Sequence, residues 1–278
     1  MQDTGKFRTN EKDQFYTSPA VAKACVESVV KELPYTRKAL WIEPSAGSGA
    51  FLKEVPEGIK SLGIDLDPKA QGILQGDFLT WEPPAKPLMK VYFGNPPFGR
   101  QGSLARKFLA HAAKTAQVMA FILPRSFVKP SMQTNIPLLF HLVLSRELDK
   151  NSFVVNDSPY DVPCVFQIWE RRSGPRVLEE KVGTSGYSYT KGADWHMAIR
   201  RVGGLAGKAF LPGGEKLSAQ SHYFIKFEPV LLKGQLEEIQ KKLCAHQFPS
   251  NTTGPRSLSQ SEVNSVLTPI LRTSVQSY

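Results

Sequence analysis

Residues 39–49, Ala39-Leu40-Trp41-Ile42-Glu43-Pro44-Ser45-Ala46-Gly47-Ser48-Gly49, read as a short apolar strand running into a glycine-rich turn. Such a strand-to-turn unit opens a βαβ arrangement when further apolar strands and helical segments alternate around it. They do. Downstream, residues 59–65, 72–76, 89–93, 118–123 and 165–169 are short apolar runs, and residues 104–115 have helical spacing. Upstream, Ser18-Pro19 places a capping residue before a proline at the first helical position. Ala20, Val21, Ala24, Cys25, Ser28 and Val29 then fall on one helical face. The alternation predicts an α/β fold, a doubly wound and mostly parallel sheet covered on both faces.

After Trp169 the character changes. Residues 171–192 are rich in Gly, Ser and charge and read as a linker. Residues 195–202 and 222–227 read as strands, with a loop between them holding Gly203, Gly204, Gly207, Gly213 and Gly214. Residues 235–245 form an amphipathic helical pattern with Leu236, Ile239 and Leu243 on one side. Residues 249–260 are rich in Ser and Thr, and a last short helix over 262–271 is expected to be interrupted at Pro269. The resulting division is a domain over 1–170, a linker over 171–192 and a small basic β/α extension over 193–278.

The chain has 278 residues, 41% hydrophobic and 22% charged, which excludes wholesale disorder. No stretch approaches the roughly 20 apolar residues of a membrane span. The polar N-terminus carries no secretory signal, and the three cysteines, Cys25, Cys164 and Cys244, form no Cys-x-x-Cys pair. A soluble, cytoplasmic protein without a metal site or a membrane is expected. The net charge is +10, and residues 171–278 hold 15 Lys and Arg against 8 Asp and Glu. A basic excess concentrated there suits a polyanion partner such as nucleic acid.

Four strand ends carry chemistry. Gly47 and Gly49 allow a ligand close to the backbone, as any tight turn would also require. The third glycine of a dinucleotide fingerprint is absent, Leu52 standing near its place. Asp65, in Gly63-Ile64-Asp65-Leu66-Asp67, is placed to accept from ribose hydroxyls, while Asp67-Pro68 suits a helix cap. Asp77-Phe78 offers an acceptor for an adenine amine and a ring for the base. Asn95-Pro96-Pro97-Phe98-Gly99 follows the strand at 89–93. Its prolines hold a rigid extended turn that presents the Asn95 amide oxygen, a backbone carbonyl and an aromatic ring together. An exocyclic amine is a poor nucleophile because its lone pair is delocalised. Two acceptors holding its hydrogens favour a pyramidal nitrogen able to attack an electrophilic methyl, with Phe98 stacking on a base turned out of its helix.

The runs Gln14-Phe15-Tyr16-Thr17-Ser18-Pro19, Glu43–Leu52 and Asn95-Pro96-Pro97-Phe98 together resemble the S-adenosylmethionine-dependent amino-methyltransferases. Their order, with an extension behind them, is similar to the gamma class of N6-adenine DNA methyltransferases, which includes modification enzymes of restriction systems. The resemblance covers about residues 14–170. It implies a Rossmann-like class I methyltransferase sheet and S-adenosylmethionine as cofactor. It further implies that Tyr16 and Thr17 close over the donor, and that Glu43, Ser45, Gly47 and Gly49 line its methionine end. Asp65 would then hold the ribose, Asp77 and Phe78 the adenine, and Asn95, Pro96, Pro97 and Phe98 the catalytic turn. Leu123-Pro124-Arg125-Ser126-Phe127 matches a looser segment of the family near the target base, with Arg125 toward phosphate.

The expected activity is methyl transfer to adenine N6 in DNA. The same Asn-Pro-Pro-Phe motif occurs in RNA methyltransferases acting on adenine N6 or guanine N2. A variant ending in Tyr occurs in protein-glutamine methyltransferases, and an inactive binding subunit is a further reading. The C-terminal region is short for an independent DNA recognition domain, so either recognition is undemanding or a specificity subunit supplies it. Within it, Arg200, Arg201, Lys208 and Lys226, interleaved with Trp195, Tyr223 and Phe224, are the candidate nucleic-acid contacts.

Overall fold

The computed structural model describes residues 16–84, 89–155, 158–178, 182–191, 193–214, 216–252 and 255–275. Gln14 and Phe15 of the quoted N-terminal run lie outside them. Two compact units divide the chain, 1–178 and 179–278.

The first unit begins with β1 (Tyr16–Thr17) and α1 (Pro19–Glu32), which buries Ala22, Cys25, Val26 and Val29 along one stripe. Then come β2 (Leu40–Pro44), β3 (Lys60–Asp65), β4 (Ile73–Gln75), β5 (Lys90–Gly94), α2 (Ser103–Ala112), β6 (Val118–Pro124) and the single turn α3 (Pro130–Gln133). β7 (Phe140–Glu147), β8 (Phe153–Val155), β9 (Ser158–Tyr160) and β10 (Cys164–Arg171) complete the unit. Seven strands form one sheet in the order β4-β3-β2-β5-β6-β10-β7. The pairs from β4 to β6 are all parallel, and β10 runs antiparallel to both β6 and β7. Six strands therefore point one way and β10 the other. β6 is buried at all seven positions, so both faces of the sheet's centre are covered, as its unbroken apolar run requires. The mostly parallel α/β expectation describes this Rossmann-like sheet. β1, β8 and β9 make a separate small antiparallel sheet.

Several features depart from the sequence expectation. β8 and β9 lie outside the expected strands, and so does β7. It lies at the sheet edge with half its residues exposed or nearly so, and its Leu142 is 38% exposed, which blurs the apolar pattern. The stretch expected to be a linker contains β11 (Tyr187–Thr190), whose alternating Tyr-Ser-Tyr-Thr buries Tyr187. The last helix, Gln260–Val275, runs through Pro269 instead of stopping there.

Arg176 ties the end of the first unit back to its sheet. Its Nη1 donates to the carbonyls of Pro137 (2.8 Å) and Phe140 (2.6 Å), and its Nη2 to those of Gln133 (2.7 Å) and Ile136 (2.8 Å). The guanidinium also sits 5.1 Å from the ring centre of the buried Trp169. Arg176→Ala is expected to lower stability by about 2–3 kcal/mol in urea unfolding. Arg176→Lys should recover little, because an ammonium lacks the planar fork that meets four carbonyls.

The second unit is a four-stranded antiparallel sheet, order β11-β14-β12-β13, with β12 (Met197–Arg200), β13 (Ala209–Phe210) and β14 (His222–Phe227). Two helices follow, α4 (Lys233–Ala245) and α5 (Gln260–Val275). Ile239 and Leu243 of α4 and Val263, Leu267 and Leu271 of α5 share one core with Tyr187, Met197, Ile199, Ile225 and Phe227 of the sheet. That buried stripe carries α5 past the hydrogen bond Pro269 cannot make. Arg171, Arg172 and Arg176 fall in the first unit, so residues 179–278 hold 12 Lys and Arg against 8 Asp and Glu. The basic excess is therefore less concentrated in the C-terminal unit than the sequence division implied.

Candidate active site

In chain order the sheet runs outward from β2 to β3 and β4, then returns to the other side of β2 at β5. A crevice opens at the carboxyl ends of the strands where such an order reverses. A cavity of about 580 Å³ lies there. Its walls include Glu43 near the end of β2 and Ser45 just after it, Asp65 ending β3, Asp77 after β4 and Asn95 after β5. Four separate stretches of sequence thus meet in one volume.

Ser45 opens the glycine turn in a left-handed conformation (φ 58°), a strained state for a residue with a side chain. Its Oγ donates to the Pro44 carbonyl at 2.5 Å and stands 3.3 Å from that of Asn95, where the turn after β2 meets the turn after β5. Asp65 fixes the same turn. Its Oδ2 accepts from the Gly47 amide (2.7 Å) and its Oδ1 from the Asp67 amide (2.8 Å). Gly47 is left-handed (φ 51°), and a Cβ there would stand 3.3 Å from the Tyr16 ring, so the turn and β1 approach closely only without a side chain. The Asp67 carboxylate is paired with Lys69 at 2.6 Å on the surface.

Glu43 is 2% exposed, and its Oε2 accepts from the Leu52 amide at 3.1 Å. Burial pushes its carboxyl well above the usual carboxylate range. The Leu52 amide opposes this, and the neighbouring Asp65 charge adds to it. The folded state therefore keeps a proton that the unfolded chain gives up near 4.5. The contribution to stability is full below that pH and is lost as pH rises above it toward the folded-state value. Glu43→Gln mimics the protonated carboxyl. Thermal melts should show the variant gaining on wild type as pH rises from 5 toward 8, with the gap closing at pH 4 (roughly the unfolded value).

The Asn95-Pro96-Pro97-Phe98-Gly99 turn is anchored from behind by α2. The Phe98 carbonyl accepts from the amides of Leu104 (3.0 Å) and Ala105 (3.3 Å). A Cβ on Gly99 would lie 2.9 Å from Leu104 Cβ and 3.1 Å from its backbone nitrogen, so the close approach of turn and helix requires glycine. Asn95 is half-buried, and Pro96 and Pro97 line the cavity beside it. Phe98 is only 4% exposed, so little of the ring expected to stack on a base faces the cavity. Phe78 is similarly withdrawn, 3% exposed and packed against Phe108 (5.1 Å) and His111 (4.9 Å). Asp77 is exposed, with Oδ1 accepting from the Leu79 amide at 2.9 Å.

Tyr16 and Thr17 reach the cavity because β1 pairs with β8, Thr17 opposite Phe153. The Thr17 hydroxyl is buried on the cavity wall without a hydrogen-bond partner among the described residues. Leu66, Leu79, Leu104 and Phe108 also line the cavity. Isolated apolar residues on a turn or helix carry no signal of their own in the sequence. Among the described residues, no group of three or more His, Cys, Asp or Glu stands together as a metal site, and no helix is long and apolar enough to cross a membrane.

Of the expected nucleic-acid contacts, Arg125 belongs to the first unit and does not line the cavity. Arg125 is held by Glu147, with Nε donating to Oε1 at 3.2 Å and Nη2 to Oε2. In the second unit, Arg200 Nε donates to the Val202 carbonyl (3.0 Å), Arg201 lies 5.0 Å from the Tyr223 ring centre, and Lys208 lies 5.6 Å from that of Phe210. Lys226 is paired with Asp194.

No protein-family model matches the chain, and no curated protein matches its sequence. Among solved structures it is similar to a Pyrococcus horikoshii protein described as a candidate RNA methyltransferase, at 14% identity and a TM-score of 0.46. That match covers 58% of this chain and 87% of the other. A type I restriction-modification methyltransferase subunit from Streptococcus thermophilus matches at 18% identity and a TM-score of 0.45, over 61% of this chain and 47% of the subunit. A Listeria monocytogenes protein described as a candidate class I S-adenosylmethionine-dependent methyltransferase matches at 13% identity and 0.46, over 63% and 66%.

Proposed function

We propose that the chain is an S-adenosylmethionine-dependent methyltransferase acting on the N6 amine of adenine in DNA, with the base turned out of the duplex. The observation that carries this reading is the meeting of the Asn95-Pro96-Pro97-Phe98 turn with three acidic or hydroxyl-bearing strand ends in one cavity.

The residues present fit the cofactor. A volume of about 580 Å³ is within the range of small-ligand sites, roughly 300–1,000 Å³. The buried Thr17 hydroxyl lacks a partner there among the described residues, as a group awaiting a ligand would. Asp65 would hold the ribose hydroxyls while fixing the glycine turn, and Asp77 the adenine amine. Glu43, Ser45, Gly47 and Gly49 would line the methionine end, with Tyr16 and Thr17 closing over it. When bound, the cofactor supplies an electrophilic methyl carbon on a sulfonium. The Asn95 side-chain oxygen and the prolyl carbonyl beside it hold the hydrogens of the target amine and orient its lone pair. The apolar walls, Phe98, Leu104 and Phe108, exclude water from that encounter.

The DNA preference rests on the resemblance of the N-terminal Tyr16-Thr17 segment, and a cytoplasmic modification enzyme with or without a specificity subunit fits it. The test is methyl transfer from labelled donor to duplex DNA and to structured RNA in parallel, followed by digestion to nucleosides. Label in N6-methyldeoxyadenosine is the expected result. Label confined to RNA would overturn the substrate and keep the chemistry. No label on either, with the donor bound in calorimetry, would overturn the free nucleic-acid substrate in favour of a protein acceptor or an obligate partner.

A further inference from the structure

We infer that the second face of the four-stranded sheet in the C-terminal unit is a stacking platform for an unpaired nucleic-acid strand. The unit's core occupies one face only. Both α4 and α5 pack there, against Tyr187, Met197, Ile199, Ile225 and Phe227. Period-2 alternation sends the intervening side chains to the other face. These are Phe224 and His222 on β14, Ala198 and Arg200 on β12, and Phe210 on β13, with Trp195 just before β12.

The register sets them in rows. Ala198 lies between Phe224 on one side and Phe210 on the other, and Arg200 lies opposite His222. Ala198 is itself 0% exposed, so the two rings close over it, and the face presents outward the half-buried rings of Phe224, Phe210 and Trp195. The rings also touch one another, Trp195 with Phe224 at 5.3 Å and Phe210 with His222 at 5.6 Å between centroids. None of these four belongs to the unit's core cluster, and Trp195, Phe210 and Phe224 remain half-buried rather than covered. His222 is 4% exposed, and its Nε2 has no hydrogen-bond partner among the described residues while Nδ1 is engaged by Ser218 and Ser221.

Charge selects the occupant. No strand of this sheet contains Asp or Glu, whereas Arg200 and Lys226 lie on its strands and the exposed Lys208 stands over Phe210. The acids beside it are Asp194, on the surface and paired with Lys226, and Glu228, which follows β14 directly. Aromatic faces interleaved with cations take unpaired bases by stacking and the backbone phosphates by charge. A duplex buries its base faces and offers these rings nothing to stack on. The platform goes beyond the methyl-transfer reading and stands whether or not that reading does.

The test uses the full chain, without donor. A short fluorescein-labelled oligothymidylate should bind in anisotropy and quench tryptophan fluorescence, the quench disappearing in Trp195→Phe. Phe224→Ala and Phe224→Leu should each weaken binding roughly tenfold or more, while Tyr189→Phe, on the core face, should not. Phe224→Leu keeps an apolar contact in place, so it reports on stacking even if Phe224→Ala unfolds. A blunt duplex should bind more weakly, and equally to wild type and Phe224→Leu. No binding of the single strand, unchanged binding by Phe224→Leu with an intact melting transition, or a duplex preferred with the same dependence on Phe224 would each overturn the platform. Saturable binding of a peptide or vesicle at Phe224 in place of the oligonucleotide would overturn it too.

Discussion

Replacing Asn95 with alanine is expected to cut kcat for methyl transfer by at least about a hundredfold, the scale seen when one preorganised hydrogen-bonding group is removed from a reacting centre. Donor affinity should change little. Asn95 meets the glycine turn through its backbone carbonyl, 3.3 Å from Ser45 Oγ, and that contact is untouched by the substitution. The expected signature is therefore a fall in kcat with donor Kd within a few-fold of wild type. Asn95→Gln keeps the amide but carries it one methylene further, and should lose nearly as much because alignment is what the rigid prolyl turn provides. Single-turnover kinetics with saturating donor check both variants. A rate within threefold of wild type for Asn95→Ala would remove this residue from the proposed chemistry.

Asp65→Asn is expected to weaken donor binding roughly 10- to 150-fold, the range for losing a hydrogen bond to a charged group. Two effects add. The amide has one oxygen where the carboxylate has two, so either the Gly47 or the Asp67 backbone N–H is left facing an NH₂ group. The glycine turn then loses its fixed position, and the charge that would accept from ribose hydroxyls is gone. Asp67→Asn is the control. Its carboxylate is paired with Lys69 on the surface, and the substitution should change donor affinity less than threefold. Titration calorimetry with donor distinguishes them, and equal losses in the two variants would count against Asp65 as the ribose-holding residue.

The parts of this architecture that can be read in one dimension are those whose cause is local. The apolar runs that became β2, β5, β6 and β10 lie on strands buried on both faces, and such strands need no partner to be recognised. The α2 and α4 segments carry their own periodicity. β7 shows the opposite case: at the sheet edge its Leu142 is exposed, so the pattern that reveals a buried strand is diluted. β11 was hidden by the polar half of its alternation, whose buried Tyr187 becomes meaningful only against α5, where its hydroxyl donates to Asn264 Oδ1 at 2.7 Å.

The site divides along the same line. Motif spacing locates the strand ends, and the cavity brings them together. It does not reveal that Asp65 also serves the backbone, that Glu43 is buried deeply enough to hold its proton, or that Phe78 and Phe98 lie in the core. Nor does it show that Arg125 already has Glu147 as a partner. Each of these depends on a residue distant in sequence, such as the 22 positions between Arg125 and Glu147.

The antiparallel strand of the large sheet bears on how the chain is made. β10 lies between β6 and β7, pairing Cys164 with Pro124 on one side and Val165 with Glu147 on the other. Synthesis delivers both flanking strands first, so each waits with an open edge until the last strand of the unit emerges. β6 is the most apolar of the set, and an apolar strand with an open edge recruits other chains. A nascent chain halted before Cys164 is therefore a species prone to self-association, and the first unit closes only as a late, long-range event. The length of the polypeptide out of the ribosome, more than any local propensity, decides when this sheet becomes safe from its neighbours.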